Sequence, residues 1–303
     1  MDFQESGLLR TLCFFDTQDY APTKTELMAH WDTGSVEGGL PTRNDITAAC
    51  DRLLAGGTIC EKRGRLFLSG REELVSLHET RAEIFPRKLR RARTIVRWLS
   101  RLGGVRFVAL CNTTAVGHAR DESDLDFFII AKNGSLWQTR FLSVLPFLRS
   151  RVPIGQPEKR VTDPVCLSFF IDDSALSLQS LALQPSDPYF RCWFLSLLPL
   201  FDDGVSREFW DANKGWLAQF PFAERWIATP GPEAPRFRIP VLPIERWAER
   251  FQRRRFPQTI KERMNKDTAV RVDDHTLKFH MDDHRARFLE AYRHRCQAYG
   301  ITP

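Results

Sequence analysis

The stretch VRFVALCNTTAVGHARDESDLDFFII, from Val105 to Ile130, is the most informative part of the sequence. It opens on a mostly apolar run that predicts a buried strand, and a turn at 112–114 follows. Asp124 and Asp126 then stand at the head of a second apolar run. Alternate residues of a strand point to one face, so these two carboxylates project together. They repel each other unless a cation lies between them, and Mg²⁺ is the natural hard, oxygen-binding cation.

The same stretch resembles the signature of the nucleotidyltransferase superfamily (the DNA polymerase beta-like fold), G-S-x-A-x-G-x-A-x-x-x-S-D-x-D. The matching residues are Ala115, Gly117, Ala119, Ser123, Asp124 and Asp126. The Gly-Ser pair is replaced by Asn112-Thr113. Asn tolerates a left-handed turn, and Thr keeps the hydroxyl. The resemblance implies an α/β fold with a nucleotidyltransferase-type mixed sheet.

It also implies a reaction, the Mg²⁺-dependent transfer of a nucleoside monophosphate from an NTP to a nucleic-acid or protein acceptor. Asp124 and Asp126 would be the catalytic residues and would bind two Mg²⁺ ions. Asn112, Thr113 and Ser123 would contact the NTP, with backbone N–H groups and a helix start facing its phosphates. The small residues after the turn would let that helix approach the sheet closely.

Superfamily members usually carry a third carboxylate on a later strand, here 165–171. By alternation Cys166, Ser168 and Phe170 share a face of that strand, and Ser168 stands where the acid is expected. The nearby acids that would replace it are Asp163, Asp172 and Asp173. The missing acid leaves an alternative open, a catalytically inactive nucleotidyltransferase-like protein that binds nucleic acid or a partner protein, as a regulator or in an antitoxin-like role.

The resemblance extends to a largely uncharacterised group of prokaryotic nucleotidyltransferase-like proteins with a winged-helix-like N-terminal region. The shared motifs are Cys111 to Ala115, Ser123 to Asp126, Cys166 to Phe169, Leu277 to His280 and Asp283 to Arg285. This likeness implies the fold and the reaction class and gives no substrate.

Four regions are expected along the chain. Three helices and a hairpin predict a winged-helix-like domain over 1–70; Thr23 and Glu26 form a capping box there, and Asn44 or Asp45 caps the third helix. A basic helical connector follows at 71–102 and the nucleotidyltransferase core at 103–175. A mostly helical C-terminal domain is expected over 176–303.

Basic side chains favour a polyanionic partner, in line with the formal charge of +6. The residues expected to contact nucleic acid are Arg87 and Arg91 in the connector, Arg253 and Arg254 further on, and Lys62, Arg63 and Arg65 in the hairpin. The alternative is a solvated basic face, or a winged helix used for protein contacts.

Other polar residues have a structural explanation beside a functional one. His280, Asp283, His284 and Arg285 either complete the site or form an ordinary helix start capped by Asp282 or Asp283, which we favour. Trp137 is expected in the core, Arg140 at phosphate or solvent, and His118 at solvent.

The seven cysteines contain no C-x-x-C pair, so we expect reduced thiols and neither a disulfide framework nor a zinc site. No basic, apolar leader opens the sequence, and no apolar run is long enough to span a bilayer. We therefore expect a cytoplasmic protein without a membrane partner.

Overall fold

The computed structural model describes residues 1–34, 40–150, 162–226 and 237–303, and it begins with three helices and a hairpin. These elements are α1 (Phe3–Asp16), α2 (Lys24–Ala29), α3 (Arg43–Ala55), β1 (Ile59–Lys62) and β2 (Arg65–Leu68). Arg63 and Gly64 both have positive φ, which suits a two-residue hairpin turn.

Capping explains where the short helices start. The capping box of Thr23 and Glu26 at α2 is present as predicted. Helix α3 is capped by Thr42 and not by Asn44 or Asp45, because the Thr42 hydroxyl accepts the Asp45 N–H while the Asp45 carboxylate reaches back to Thr42.

The predicted basic connector is one long helix, α4 (Glu73–Leu99). Its inward stripe includes Ala92, Ile95, Val96 and Leu99, all buried against the sheet. The arginines between these positions therefore lie toward the outer side.

The rest of the chain builds a mixed six-stranded sheet in the order β6-β3-β4-β5-β8-β7. Its strands are β3 (Val105–Leu110), β4 (Leu125–Ala131), β5 (Val165–Asp172), β6 (Leu198–Asp202), β7 (Val270–Val272) and β8 (Thr276–Phe279). Only β4 and β5 run parallel; the other neighbours are antiparallel. Half of the strands come from the region expected to be a mostly helical domain, so residues beyond 175 complete the sheet.

Helices cover both faces of the sheet. The further helices are α5 (Asn112–Ala115), α6 (Leu136–Val144), α7 (Pro188–Leu195), α8 (Ser206–Asn213), α9 (Glu245–Arg254), α10 (Gln258–Arg263) and α11 (Arg285–Ala298). One face packs against α4, α6, α9 and α10. The other packs against α7 and α8 and is continuous with the core of the N-terminal helices and α11.

A β-bulge in β5 shifts the alternation that the sequence predicts. Asp126 pairs with Cys166, but Phe128 pairs with Phe169, so three steps on β5 match two on β4. Cys166 and Ser168 share a face, whereas Phe170 packs in the opposite core. The expectation that Phe170 shares their face is therefore wrong.

Among the described helices, none is both long and apolar enough to cross a membrane. All seven cysteines are free thiols, and five of them are buried.

Candidate metal centre

Asp124, Asp126 and Cys166 meet at one end of the sheet. Asp126 lies at the start of β4 and Asp124 directly before it, while Cys166 is the register partner of Asp126 on β5. One ligand atom of each residue lies within 4.8 Å of the others, and all three residues are half-buried. The predicted convergence of the two carboxylates is therefore present, with a thiol beside them.

The turn after β3 holds Asp126 in place. Asn112 has φ of 58°, the left-handed conformation expected for this turn. Its side-chain amide donates to Asp126 Oδ2 over 2.7 Å. The backbone N–H of Cys111 donates to the Asp126 carbonyl, so the strand and the carboxylate are both fixed.

The helix expected after this turn is only the four residues of α5. Such a short helix adds little dipole at a phosphate. Gly117 lies beyond it with φ of 67°, so its small size serves a left-handed turn and not a close helix–sheet approach. Thr113 is half-buried beside a cavity, and the Ser123 hydroxyl accepts the N–H of Arg120.

Lys88 holds the loop that precedes Asp124 by hydrogen bonds to its backbone. Its side chain has no solvent exposure, and its ammonium donates to the carbonyls of Asp121 and Ser123 and to Asp163 Oδ1, over 3.1, 2.5 and 2.9 Å. By sequence, Lys88 is one of the basic residues of the connector, with no separate role predicted. Its spacing of four residues from Ala92, on the apolar stripe of α4, is the signal that would have found it.

Cys166, and not Ser168, occupies the place opposite the two acids. Cys166 is the register partner of Asp126, and Ser168 lies two residues further along β5, where its hydroxyl contacts the Cys166 sulfur over 3.2 Å. Burial raises the pKa of Cys166 well above its ordinary value, so the thiol is protonated. The third position therefore holds a neutral sulfur.

None of the three substitute acids reaches this place. Asp163 is buried and paired with Lys88 and Arg87. Asp172 lies six residues beyond Cys166 along β5, about 20 Å away. Asp173 lies at the same far end, where it pairs with Arg106 over 2.8 Å.

The carboxylates of Asp124 and Asp126 repel each other. Repulsion from Asp126, followed by burial, raises the pKa of Asp124 to about 7. Burial also raises the pKa of Asp126, against the hydrogen bond from Asn112. When both groups are ionised, the pair therefore has an excess of negative charge, which a bound proton or a cation relieves.

This imbalance fits a divalent cation. Two carboxylates are the oxygen donors that Mg²⁺ and Mn²⁺ prefer, and the protonated thiol adds no charge. Among the described residues, this is the one cluster of at least three acid, cysteine or histidine side chains with such spacing. The donor set fits a cation held by Asp124 and Asp126.

A cavity of about 40 Å³ lies beside the turn. Its lining comes from the turn (Asn112, Thr113, Val116, His118), from α1 and the residues after it (Phe14, Phe15, Gln18, Tyr20), and from α7 and the residue after it (Tyr189, Cys192, Trp193, Ser196). Such a volume holds a few water molecules and is far smaller than a nucleoside triphosphate.

His118 is buried and not at solvent as expected. Its ring stacks on the ring of His78 at a centroid distance of 5.5 Å, and its Nε2 contacts Arg81. Burial, and then the charge of Arg81, lowers the pKa of His118 to about 3, so the ring is neutral. His118 therefore joins α4 to the turn.

Other singled-out residues have structural partners. Trp137 is in the core as predicted; Arg140 is buried against Phe279 at 4.6 Å, so it faces neither phosphate nor solvent. His280 is half-buried beside Phe169. His284 lies at the start of α11 and pairs with Asp282.

Arg285 is a buried hub in which the guanidinium pairs with Asp283 and Asp187. Asp283 also accepts the N–H of Arg285. The N-cap residue of α11 is His284 and no side chain caps the helix, so the expected cap by Asp282 or Asp283 is wrong.

Several basic residues expected to contact nucleic acid are held in ion pairs. In the hairpin, Lys62 pairs with Glu72, Arg63 with Glu79 and Arg65 with Glu26. Arg87 pairs with Asp121 and Asp163, and Arg253 with Glu249. Arg254 is exposed and Arg91 half-buried.

Comparison of the chain with protein-family models, with curated proteins and with solved structures finds no match.

Proposed function

We propose that the chain is a nucleotidyltransferase that depends on a divalent cation and moves a nucleoside monophosphate from an NTP to a nucleic-acid or protein acceptor. The observation that carries the proposal is the mutually repelling pair Asp124 and Asp126, held together at the start of one strand. The likeness of the surrounding stretch to the nucleotidyltransferase signature supports the reaction class.

Each residue of the site has a defined task in this proposal. Asp124 and Asp126 hold the cation, which when bound would stabilise the charge of the transferred phosphoryl group. Asn112 donates to one carboxylate oxygen of Asp126 and so fixes its orientation. Lys88 fixes the loop that carries Asp124, and Thr113 offers a hydroxyl beside the cavity.

The test is incubation with labelled NTPs, Mg²⁺ or Mn²⁺, and total RNA or cell protein. Asp124→Asn and Asp126→Asn should each reduce label transfer at least about 100-fold. Asp121→Asn is the matched control, because it removes one negative charge from the same loop at an exposed position. Equal transfer by wild type and both site variants would refute the proposal.

Two observations favour a second candidate, a non-catalytic scaffold. Cys166 stands where a third carboxylate is expected, and the cavity beside the turn, lined in part by Phe14, Phe15 and Trp193, has a volume of only about 40 Å³. A scaffold would bind its partner equally well with Asp124→Asn and without a divalent cation. Transfer activity that requires both acids would exclude it.

A further inference from the structure

Helix α9 presents an unusual outer surface of aromatic and arginine side chains. Trp247 is 50% exposed, although its ring is large and apolar. It stacks on Phe251 at a ring distance of 5.0 Å and 27°, and it meets Phe141 of α6 edge-on at 5.3 Å. These contacts hold the indole ring of Trp247 in one orientation at the surface.

Arginine side chains of α9 lie beside the Trp247 ring. Arg246, Arg250 and Arg254 recur every four residues, so they form one exposed stripe next to the stripe of Trp247 and Phe251. On the buried side, Ala248 packs in the core and Gln252 hydrogen-bonds to α6. Arg255 extends the surface, with its guanidinium 3.8 Å from the Phe251 ring.

The acids of α9 do not neutralise this stripe. Glu245 accepts the first N–H groups of α6, from Trp137 and Gln138, and Glu249 pairs with Arg253. Within the described ranges, Arg246, Arg250 and Arg254 are absent from the ion pairs closer than 4.0 Å. The stripe is therefore a row of positive charge with no internal counter-charge.

We propose that this surface of α9 binds single-stranded nucleic acid, with unpaired bases stacked on Trp247 and phosphates along Arg246, Arg250 and Arg254. A flat, half-exposed ring can stack on a base only where that base is unpaired. Rows of arginine suit successive phosphates, and arginine also stacks on bases. A lipid surface fits less well, because the buried side of α9 is already packed in the core beside α6.

This surface is separate from the acid pair. Helix α9 covers one face of the sheet, whereas Asp126 lies on the face of Phe128 and Phe107. The inference therefore does not rest on the proposed transfer reaction. It holds for an enzyme with a nucleic-acid acceptor and for a scaffold alike.

The experiment measures binding of a fluorescein-labelled 20-nucleotide oligo-dT and oligo-U by anisotropy, in EDTA and without NTP, from 50 to 300 mM KCl. Trp247→Ala should weaken binding about tenfold, whereas Trp247→Phe should stay within about threefold. The triple variant Arg246→Gln/Arg250→Gln/Arg254→Gln should flatten the salt dependence by about two units of slope.

A second triple variant is the matched control. Arg90→Gln/Arg97→Gln/Arg101→Gln removes the same charge from exposed positions on and just after α4. It should retain the Trp247-dependent part of binding. Thermal unfolding of each variant checks that it is folded.

Three results would overturn the inference. They are equal binding by wild type and Trp247→Ala, equal losses in the two triple variants, and binding of a duplex of the same length as tightly as the single strand. Trp247-dependent binding to anionic vesicles without oligonucleotide binding would assign the surface to lipid instead. Because no NTP or divalent cation is present, none of these results bears on transfer activity.

Discussion

The acidic residues at the two ends of the parallel strands β4 and β5 differ in how far their charge is compensated. At the far end, Asp172 is buried, and its carboxylate accepts the Ser174 N–H, the Ser174 hydroxyl and His275 Nδ1. At the near end, Asp124 and Asp126 face each other with one amide donor from Asn112 and a neutral thiol. Acids that serve the fold have their hydrogen bonds satisfied, whereas this pair keeps an unbalanced charge that a ligand can neutralise.

The largest effect on stability should come from the satisfied end. Asp172→Ala leaves the Ser174 N–H and His275 without their acceptor, which should lower the free energy of unfolding by about 2–3 kcal/mol. Urea unfolding at pH 7 measures this loss. A loss as large in Asp126→Asn as in Asp172→Ala would break the comparison.

Asp124→Asn should act in the opposite direction. The raised pKa of Asp124 means that the folded state favours the protonated acid; its stabilisation is present at low pH and lost as pH rises toward about 7. The variant should therefore be more stable than wild type by about 1 kcal/mol at pH 8 without divalent cation, allowing for partial exposure, and equal near pH 4. A constant difference between pH 4 and 8 would contradict this explanation.

Cys166→Asp tests whether the neutral thiol limits the affinity of the site for a divalent cation. A third carboxylate at this position should tighten Mn²⁺ or Mg²⁺ binding about tenfold, because it adds a charged oxygen ligand. Calorimetric titration of the metal measures the change. Cys166→Ser, which adds no charge, is the control, and equal affinities in the two variants would show that Cys166 does not face the cation.

The smallest effect concerns His275. Its hydrogen bond to Asp172 raises the pKa of His275, so the pair stabilises the fold below pH about 6.5 and the contribution is lost as pH rises through the folded pKa. Half of the His275 side chain is exposed, so only a few tenths of a kcal/mol are expected. The difference between His275→Gln and wild type, compared at pH 5.5 and 8.5, checks this sign.

Local sequence patterns predicted several secondary-structure elements and the position of the acid pair. The apolar run of β3, the left-handed Asn112, the capping box at Thr23 and the convergence of Asp124 with Asp126 follow from residue type and spacing alone. Each depends on contacts within a few residues or on one strand's alternation. Such features are set before tertiary packing decides anything else.

The predictions that failed depend on distant pairing. The register of β5 against β4 pairs Asp126 with Cys166 and so brings Cys166, and not Ser168, to the site; the bulge follows this pair. His118 is buried because His78, forty residues earlier, packs on it. Strands β6, β7 and β8 were not predicted from the local pattern, since short edge strands carry too few residues for a clear period.

The position of β8 in the chain has a consequence for synthesis. Strand β5 lies between β4 and β8, and about 100 residues separate the end of β5 from the start of β8. While the ribosome adds those residues, the Phe169–Ile171 edge of β5 has no partner for its backbone groups. We expect nascent chains that stop before residue 276 to be prone to aggregation and to need chaperones, whatever the state of the acid pair.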